Sequence, residues 1–343
     1  MTDLGSLLAL LRDVQRSLRD AVVEACERQS VAELGGVAED GPGDTIYQID
    51  KVSEALLLER LEPAATAIGG VVLIAEGLPG GELLLPRGQR GSPAWRFIVD
   101  PIDGTRGIMY QKRSAWVLGA VAPNRGDQTR LSDILVAAQT EIPTLKQHLS
   151  DELYAVRGRG ATLERINRLS GERVVLPFQP SRADSLRHGY AMLTRFFPGA
   201  RDELAAIDEE IMLELLGSSP AGKALCFEDQ YASTGGQLYE LAIGHDRFNA
   251  DLRPLMHELL QRRGQPIGLC CHPYDICTAL IAEEAGVLLT DPWGRPLDAP
   301  LDVAADVAWV GYANAVLRRQ VEPVLQAALA RRGLTPESLG GSR

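Results

Sequence analysis

The sequence predicts a mixed protein, α/β or α+β, in which helices and sheets pack in layers. Three observations support this class. Apolar residues recur at helical spacing over residues 4–33 and 51–62. Short continuous apolar runs that end in an acid, such as VVLIAE and FIVD, are typical of buried strands. The second half of the chain mixes helical patterns with short strands, and the sequence contains no internal repeat.

The first half contains the clearer strand patterns. Strands are predicted at 71–76, 97–100 and 114–122, followed by a hairpin over 151–164. The Gly/Pro-rich stretch over 77–93 predicts a surface loop between the first two strands.

A boundary between two lobes is predicted near residue 172, which gives lobes over 1–172 and 173–343. A strand and a polar loop over 170–182 mark this boundary. The second lobe is predicted to combine a strand at 286–291 with helices at 199–216, 252–263, 275–285 and 315–332.

Composition and charge exclude several classes of function. The 343 residues are 45% hydrophobic and 24% charged, which is ordinary for a globular protein. A formal net charge of −11 argues against general nucleic-acid binding, which calls for a basic surface. The sequence has no run of 18 apolar residues, so we expect no membrane span. Five cysteines without paired spacing predict reduced thiols in a cytoplasm.

The segment FIVDPIDGTRG, residues 97–107, ends a predicted strand in two carboxylates three residues apart. Asp100 and Asp103 would repel each other unless a cation lay between them. Pro101 stiffens the turn, so the Ile102 carbonyl can point the same way as the two carboxylates. Three hard oxygens in four residues suit Mg²⁺ or Mn²⁺.

Gly104 and Thr105 extend this interpretation to a phosphate group. Gly104 allows a backbone to approach a ligand closely. Thr105 would begin the next segment with free N–H groups, which bind phosphate oxygens. The alternative is a type I turn with proline at its second position and Asp-Gly after it. The spacing alone leaves both interpretations open.

A further acid, Asp275, lies at the start of a predicted helix in HPYDICTALIAEEAG. An aspartate in this position can be an N-cap, a metal ligand or both. Cys270, Cys271, His272 and Cys277 lie nearby in the sequence. Because they show no C-x-x-C spacing, we expect buried or half-buried thiols here rather than a structural zinc site.

DPIDGT and the later YDICTALIAEEAG resemble the two signature motifs of the inositol monophosphatase family, in the wider superfamily with fructose-1,6-bisphosphatase. Three further stretches are similar to family segments in the same order: DTIYQIDKVSEALLLERL, ELYAVRGRGA and YELAIGHDRFNAD. The resemblance covers most of the chain. It implies a layered αβαβα sandwich and Mg²⁺-dependent hydrolysis of a phosphate monoester.

The resemblance also implies roles for particular residues. Two or three metal ions would be held by Asp100, the Ile102 carbonyl, Asp103 and Asp275. Glu76 would be a further metal ligand that helps to position the attacking water. Thr105, paired with Asp50, would help to activate that water.

The implied partner is a small phosphorylated metabolite, and a homodimer is a possible assembly. Substrate contacts would come from Asp103, Gly104, Thr105, Arg106 and Asp251. Arg106 could bind a second anionic group or could be a solvated side chain. The spacing between the two signatures is longer than in the family, with extra material around 192–222 and 252–270.

One departure from the family pattern concerns the metal ligands. The family usually has two adjacent acids where this chain has Glu76 followed by Gly77. If Glu76 matches the first acid, the ligand position falls on Gly77 and a metal site is impaired. Glu82 could substitute, but we prefer Glu76 because it ends a strand. The departure leaves open a catalytically weakened family member that acts as a binding or regulatory protein.

Overall fold

The computed structural model describes residues 3–39, 46–88 and 91–336. The helices in these ranges are α1 (Leu4–Arg28), α2 (Val31–Leu34), α3 (Gln48–Ala65), α4 (Thr105–Met109), α5 (Arg201–Leu216), α6 (Thr234–Ala242), α7 (His257–Arg262), α8 (Pro273–Ile276), α9 (Ala279–Glu284) and α10 (Ala315–Arg331). The strands are β1 (Val37–Glu39), β2 (Ile46–Tyr47), β3 (Val71–Ala75), β4 (Glu82–Leu85), β5 (Trp95–Asp103), β6 (Ala115–Pro123), β7 (Val136–Ile142), β8 (Leu149–Val156), β9 (Ala161–Asn167), β10 (Arg173–Leu176), β11 (Tyr190–Leu193), β12 (Asp246–Asp251), β13 (Leu288–Thr290) and β14 (Trp309–Tyr312).

Two sheets form the frame of the described structure. The larger has eight strands in the order β10-β9-β8-β7-β6-β5-β3-β4. Its neighbouring strands are antiparallel except for the parallel pair β3 and β5. The smaller has four strands in the order β11-β12-β14-β13, with β11 and β12 parallel. A short pairing of β1 with β2 lies beside them.

Three layers of helices and the two sheets together make five layers. α1 and α3 pack on one face of the large sheet. α6, α8 and α9 lie between the two sheets, and α5 and α10 cover the outer face of the small sheet. The predicted αβαβα sandwich is therefore confirmed. No helix among the described residues combines the length and apolar character needed to cross a bilayer.

The apolar patterns explain why the layers form. α1 turns Leu7, Leu11, Val14 and Leu18 to the sheet at helical spacing, and all four are buried. Strands β5 and β6 are buried along almost their whole length because helices cover both faces. These two buried central strands support the candidate site described below.

Three predicted elements differ from the structure. The stretch 77–93 was expected to be a loop, but it contains β4, whose Leu85 pairs with Val71 of β3. The expected helix over 275–285 is two short helices, α8 and α9, separated at Cys277 and Thr278. The expected helix over 252–263 begins as a 3₁₀ turn and becomes α-helical at His257.

The eight-stranded sheet continues slightly past the boundary expected at residue 172. Its edge strand β10 pairs with β9, so this strand belongs to the larger sheet. The division into lobes over 1–172 and 173–343 stays a prediction.

A β-bulge at the end of β5 aims the two neighbouring aspartates in one direction. Asp100 lies opposite Leu118 of β6, and Asp103 lies opposite Trp116. The aspartates are three residues apart, whereas their partners are two apart, so β5 carries one extra residue. Residues three apart in a regular strand point to opposite faces. The extra residue returns both carboxylates to the face covered by α6 and α8.

Candidate active site

Three carboxylates from two distant parts of the chain converge at the end of β5. Asp100 and Asp103 lie on β5, and Asp275 lies on α8. One oxygen from each lies within 4.8 Å of the others. Asp100 and Asp103 are buried and Asp275 is half-buried. They line what we call the main cavity, together with Glu76, Thr105 and other residues.

The pKa values of these acids are raised because the site is both buried and acidic. Burial raises the pKa of Asp100 well above its usual value, and the charges of Asp103, Asp275 and Glu76 add to the effect. Burial likewise raises the pKa of Asp275, with Asp103 adding to it. A divalent cation would remove this repulsion, and carboxylate oxygens are the donors that Mg²⁺ prefers. The residues present therefore fit a metal ion.

The start of α6 holds Asp103 in place. Asp103 Oδ2 accepts hydrogen bonds from Ser233 Oγ at 2.8 Å and from the Gly235 N–H at 2.6 Å. Burial raises the pKa of Asp103 to about 6, and these hydrogen bonds limit the rise. Ser233 is also the N-cap of α6, because its side chain accepts from the Gly236 N–H. Ser233 was not predicted as a site residue, although the STGG segment carries an N-cap signal.

Asp275 is not the N-cap of its helix, which was one of the roles left open for it. His272 is the N-cap of α8, and Asp275 is the third helical residue. The His272 N–H donates to Asp275 Oδ2 at 2.6 Å, which is one half of a capping box. This hydrogen bond fixes the orientation of the Asp275 carboxylate.

Thr105 and Asp50 meet beside the three carboxylates. Thr105 Oγ1 lies 3.3 Å from Asp50 Oδ1 and 2.8 Å from the Ile102 carbonyl oxygen, and its hydroxyl can donate to either. Asp50 Oδ2 accepts from the Tyr47 N–H at 2.8 Å, so the start of α3 orients this carboxylate. The structure thus brings together the Thr105–Asp50 pair that the resemblance implied.

Glu76 and Glu82 occupy different surroundings. Glu76 directly follows β3 and lines both the main cavity and an adjoining side cavity, which also includes Asp50 and Thr105. Glu82 lies on β4, where its Oε2 pairs with Arg96 Nη2 at 2.6 Å. Glu82 is not among the described residues that line either cavity.

The space beside Gly77 contains another carboxylate. Gly77 has a φ of +84°, which disfavours other residues, and a Cβ built on it would overlap Glu54 Oε1. Glu54 comes from α3, four residues after Asp50, and lines the side cavity. An acid from a helix therefore lies where a second acid after Glu76 would project. The sequence analysis did not single out Glu54.

Two arginines and two aromatic rings form one wall of the main cavity. The Arg106 guanidinium lies 5.0 Å from the ring centre of Phe197 and 5.6 Å from that of Tyr47. The Arg253 guanidinium lies 4.7 Å from Phe196 and 5.6 Å from Phe197. Phe197 thus lies between two cations. The extra segments 192–222 and 252–270 supply Phe196, Phe197 and Arg253, which the sequence analysis did not name.

Asp251 does not line the main cavity among the described residues, but it pairs with Arg253, which does. Both of its oxygens accept from the Arg253 guanidinium at 2.5–3.1 Å, and its exposed fraction is 1%. Arg253 Nη1 also donates to the Leu269 carbonyl oxygen at 2.9 Å. In the structure Asp251 holds the arginine that lines the cavity, and its contact with substrate stays a prediction.

Comparison with known proteins identifies the family. The sequence profile of the inositol monophosphatase family matches residues 3–191, more than half of the chain. The chain belongs to the inositol monophosphatase family. No curated protein shows a significant sequence match to this family member.

Solved structures share the fold of this inositol monophosphatase-family chain. The extragenic suppressor protein SuhB from Bartonella henselae has 18% identity and a TM-score of 0.63, over 94% of this chain and 98% of that one. Fructose-1,6-bisphosphatase from Leishmania major has 16% identity and a TM-score of 0.67, over 94% of each chain. Inositol monophosphatase from Anabaena has 17% identity and a TM-score of 0.58, over 96% of this chain and 97% of that one.

Proposed function

We propose that this family member is a Mg²⁺-dependent phosphomonoesterase that acts on a small phosphorylated polyol, sugar or nucleotide. The observation that carries the proposal is the convergence of Asp100, Asp103 and Asp275 beside the Thr105–Asp50 pair. Buried like charges destabilise a fold, so packing alone does not explain three carboxylates in one place. A binding site for hard cations does explain them.

The ions would be held by Glu76, Asp100, the Ile102 carbonyl oxygen, Asp103 and Asp275. Bound divalent ions would lower the pKa of water, neutralise the phosphate and stabilise the leaving oxygen. The chain would supply the orientation of these donors, because a strand end, a capping hydrogen bond and the start of α6 fix their positions.

Thr105 and Asp50 would move the proton of the attacking water. Thr105 Oγ1 would accept a hydrogen bond from that water while its own hydrogen points to Asp50 Oδ1. As the water oxygen bonds to phosphorus, its proton would pass to Thr105 Oγ1 and the threonine proton to Asp50. The ester P–O bond breaks, the leaving alkoxide takes a proton from solvent water, and Asp50 releases its proton to solvent, so the alcohol and inorganic phosphate leave and the pair is restored.

Arg106 and Arg253 favour a substrate with a second anionic group. Guanidinium groups bind phosphate and carboxylate in a bidentate manner, and the carboxylate cluster lies in the same cavity. Arg106 directly follows Thr105 in the chain and lines the main cavity, so Arg106 is our candidate for this role. We therefore propose that bisphosphates or acidic phosphate esters are preferred over neutral polyol monophosphates.

A panel of phosphate esters, assayed for release of inorganic phosphate, tests the proposal. We expect release with Mg²⁺ from at least one ester, and loss of release after chelation. A protein that binds Mg²⁺ and inorganic phosphate by calorimetry, yet releases none from any ester, would instead be the weakened family member that acts as a binding or regulatory protein.

A further inference from the structure

A second group of potential metal ligands lies beside the main cavity, outside the three-carboxylate cluster. His257 begins α7, Cys270 lies in the loop after that helix, and Asp306 lies in the loop before β14. One donor atom from each lies within 4.8 Å of the others. Cys270 also lines the main cavity.

The His257 ring lies close to both of the other side chains. His257 Nε2 lies 3.3 Å from Cys270 Sγ, and His257 Nδ1 lies 3.7 Å from Asp306 Oδ2. Cys270 is buried, His257 is half-buried and Asp306 is exposed. Solvent can therefore reach the group from the side of Asp306.

A thiol, an imidazole and a carboxylate that lie close together could also activate Cys270 as a nucleophile. The negative charges around Cys270 argue against this role. A nucleophilic cysteine needs a lowered pKa. Burial instead raises the pKa of Cys270 to about 12, and the nearby Asp306, Asp251 and Asp275 add to the rise. The same carboxylates that disfavour a free thiolate attract a cation.

We infer that His257, Cys270 and Asp306 form a site for a borderline-soft divalent ion such as Zn²⁺. Sulfur, imidazole nitrogen and carboxylate oxygen are the donors that Zn²⁺ takes, and three protein ligands leave a fourth position open. Binding forms a metal–sulfur bond and releases the Cys270 thiol proton to solvent. The site differs in chemistry from the all-oxygen cluster, and it does not depend on the proposed phosphatase activity.

This ligand set was not visible in the sequence. The residues around Asp275 were expected to be ordinary thiols because they lack C-x-x-C spacing. The inferred ligands share only Cys270 with that group, and the other two lie at positions 257 and 306. Hydrogen bonding between the Val307 N–H and the Cys271 carbonyl oxygen, at 2.8 Å, joins the two loops that carry Cys270 and Asp306.

Titration of the metal-free full-length protein with Co²⁺ tests the inference. Co²⁺ bound to a thiolate gives a charge-transfer absorption in the near ultraviolet, whereas Co²⁺ bound to oxygens alone does not. We expect this band to appear with wild type and to be displaced by Zn²⁺. We expect it to disappear in Cys270→Ser, and Co²⁺ affinity to fall at least about tenfold in Asp306→Asn, whose side chain is exposed and whose replacement leaves the core intact.

Two control variants separate this site from other thiols and from the carboxylate cluster. Cys226→Ser should keep the band, because Cys226 lies outside the group. Asp100→Asn should keep it as well, even if phosphate release is lost. The inference is wrong if wild type gives no band, or if the band survives in Cys270→Ser.

Discussion

Glu76 and Glu82 lie close in sequence, but they differ in surroundings. Glu76 lies at the end of a buried strand and faces the carboxylate cluster, so its position is fixed before any ion binds. Glu82 is paired with Arg96 on an edge strand, and its side chain is 53% exposed. Recruiting Glu82 to the cluster would break that pair and leave the buried Arg96 charge without it.

We therefore expect Glu76→Gln to reduce kcat/KM for Mg²⁺-dependent phosphate release by about 100-fold or more, since altered metal ligation typically costs at least 10–100-fold. Glu82→Gln should change it by less than about threefold, because Glu82 lines neither cavity and its loss would leave the buried Arg96 charge unpaired, which affects stability and not the metal ligands. Steady-state assays of the two matched variants check this. The reverse order of damage would show that β4 supplies the ligand.

Arg106 lies one residue after Thr105, near the expected position of the scissile phosphate. For a substrate with a second anionic group, Arg106→Ala should raise KM by the equivalent of about 1–3 kcal/mol of charge-assisted binding. For a neutral polyol monophosphate the change should be small. KM for both substrate types is the measurement, and Arg87→Ala, on an exposed side chain, is the control. Equal small effects on both types would mean that Arg106 faces solvent.

At the scale of elements, the turn after β3 meets the first turns of α3. If the chain had simply lost an acid at position 77, Gly77→Glu would restore activity. The structure predicts the opposite, because a side chain there would overlap Glu54 and a positive φ costs about 1–3 kcal/mol for other residues. We expect Gly77→Glu to lower phosphate release.

Gly80→Glu is the matched control for this change. Gly80 also has a positive φ, at +75°, but no atom lies within 4 Å of a Cβ built on it. The variant therefore shares the backbone strain and the added charge without the overlap. Greater activity in Gly77→Glu than in wild type would overturn our account of Glu54.

Several elements of the site could be predicted because their signals are local. The buried run before Asp100, the Pro-Ile-Asp-Gly turn and the acid at the start of a helix all lie in short segments. The interruption between α8 and α9 could not be predicted, because the apolar pattern of residues 276–285 is compatible with one helix. β4 was missed because Gly and Pro residues around it signal loops more strongly than the three leucines signal a strand.

Other parts of the site depend on contacts between distant segments. Ser233 and Gly235 reach Asp103 across 130 or more residues, and no local pattern records that contact. The alternation rule for strands would also have placed Asp100 and Asp103 on opposite faces. The bulge that reunites them depends on pairing with β6, which the sequence of β5 alone does not show.

The five-layer fold brings carboxylates from both halves of the chain together in one buried site of low dielectric constant. The energetic consequence is a pH dependence of the metal-free protein. Burial gives Asp103 a pKa of about 6, against 3.8 for the usual group. The folded state therefore keeps its proton to higher pH than the unfolded chain, and the free energy of unfolding falls as pH rises through this window.

A rise of about two pKa units corresponds to about 3 kcal/mol. We expect urea unfolding of the metal-free wild type to show this loss between about pH 4 and about pH 7, and Asp103→Asn to reduce the loss. Mg²⁺ should restore stability at the higher pH. A free energy of unfolding that rises over this interval, by the same amount in both proteins, would contradict the electrostatic account.

The cytoplasmic location and the homodimer stay predictions. Light scattering of the purified protein would measure its mass in solution and so test the homodimer.

The central claim is that the carboxylate cluster binds the ions that make this chain a phosphatase. The most direct measurement is Mg²⁺-dependent release of inorganic phosphate by wild type, Asp100→Asn and Asp275→Asn, with circular dichroism of each variant. We predict release by wild type and none above background by either variant, with the fold intact in all three. Wild-type turnover in either folded variant would contradict the assignment of that carboxylate.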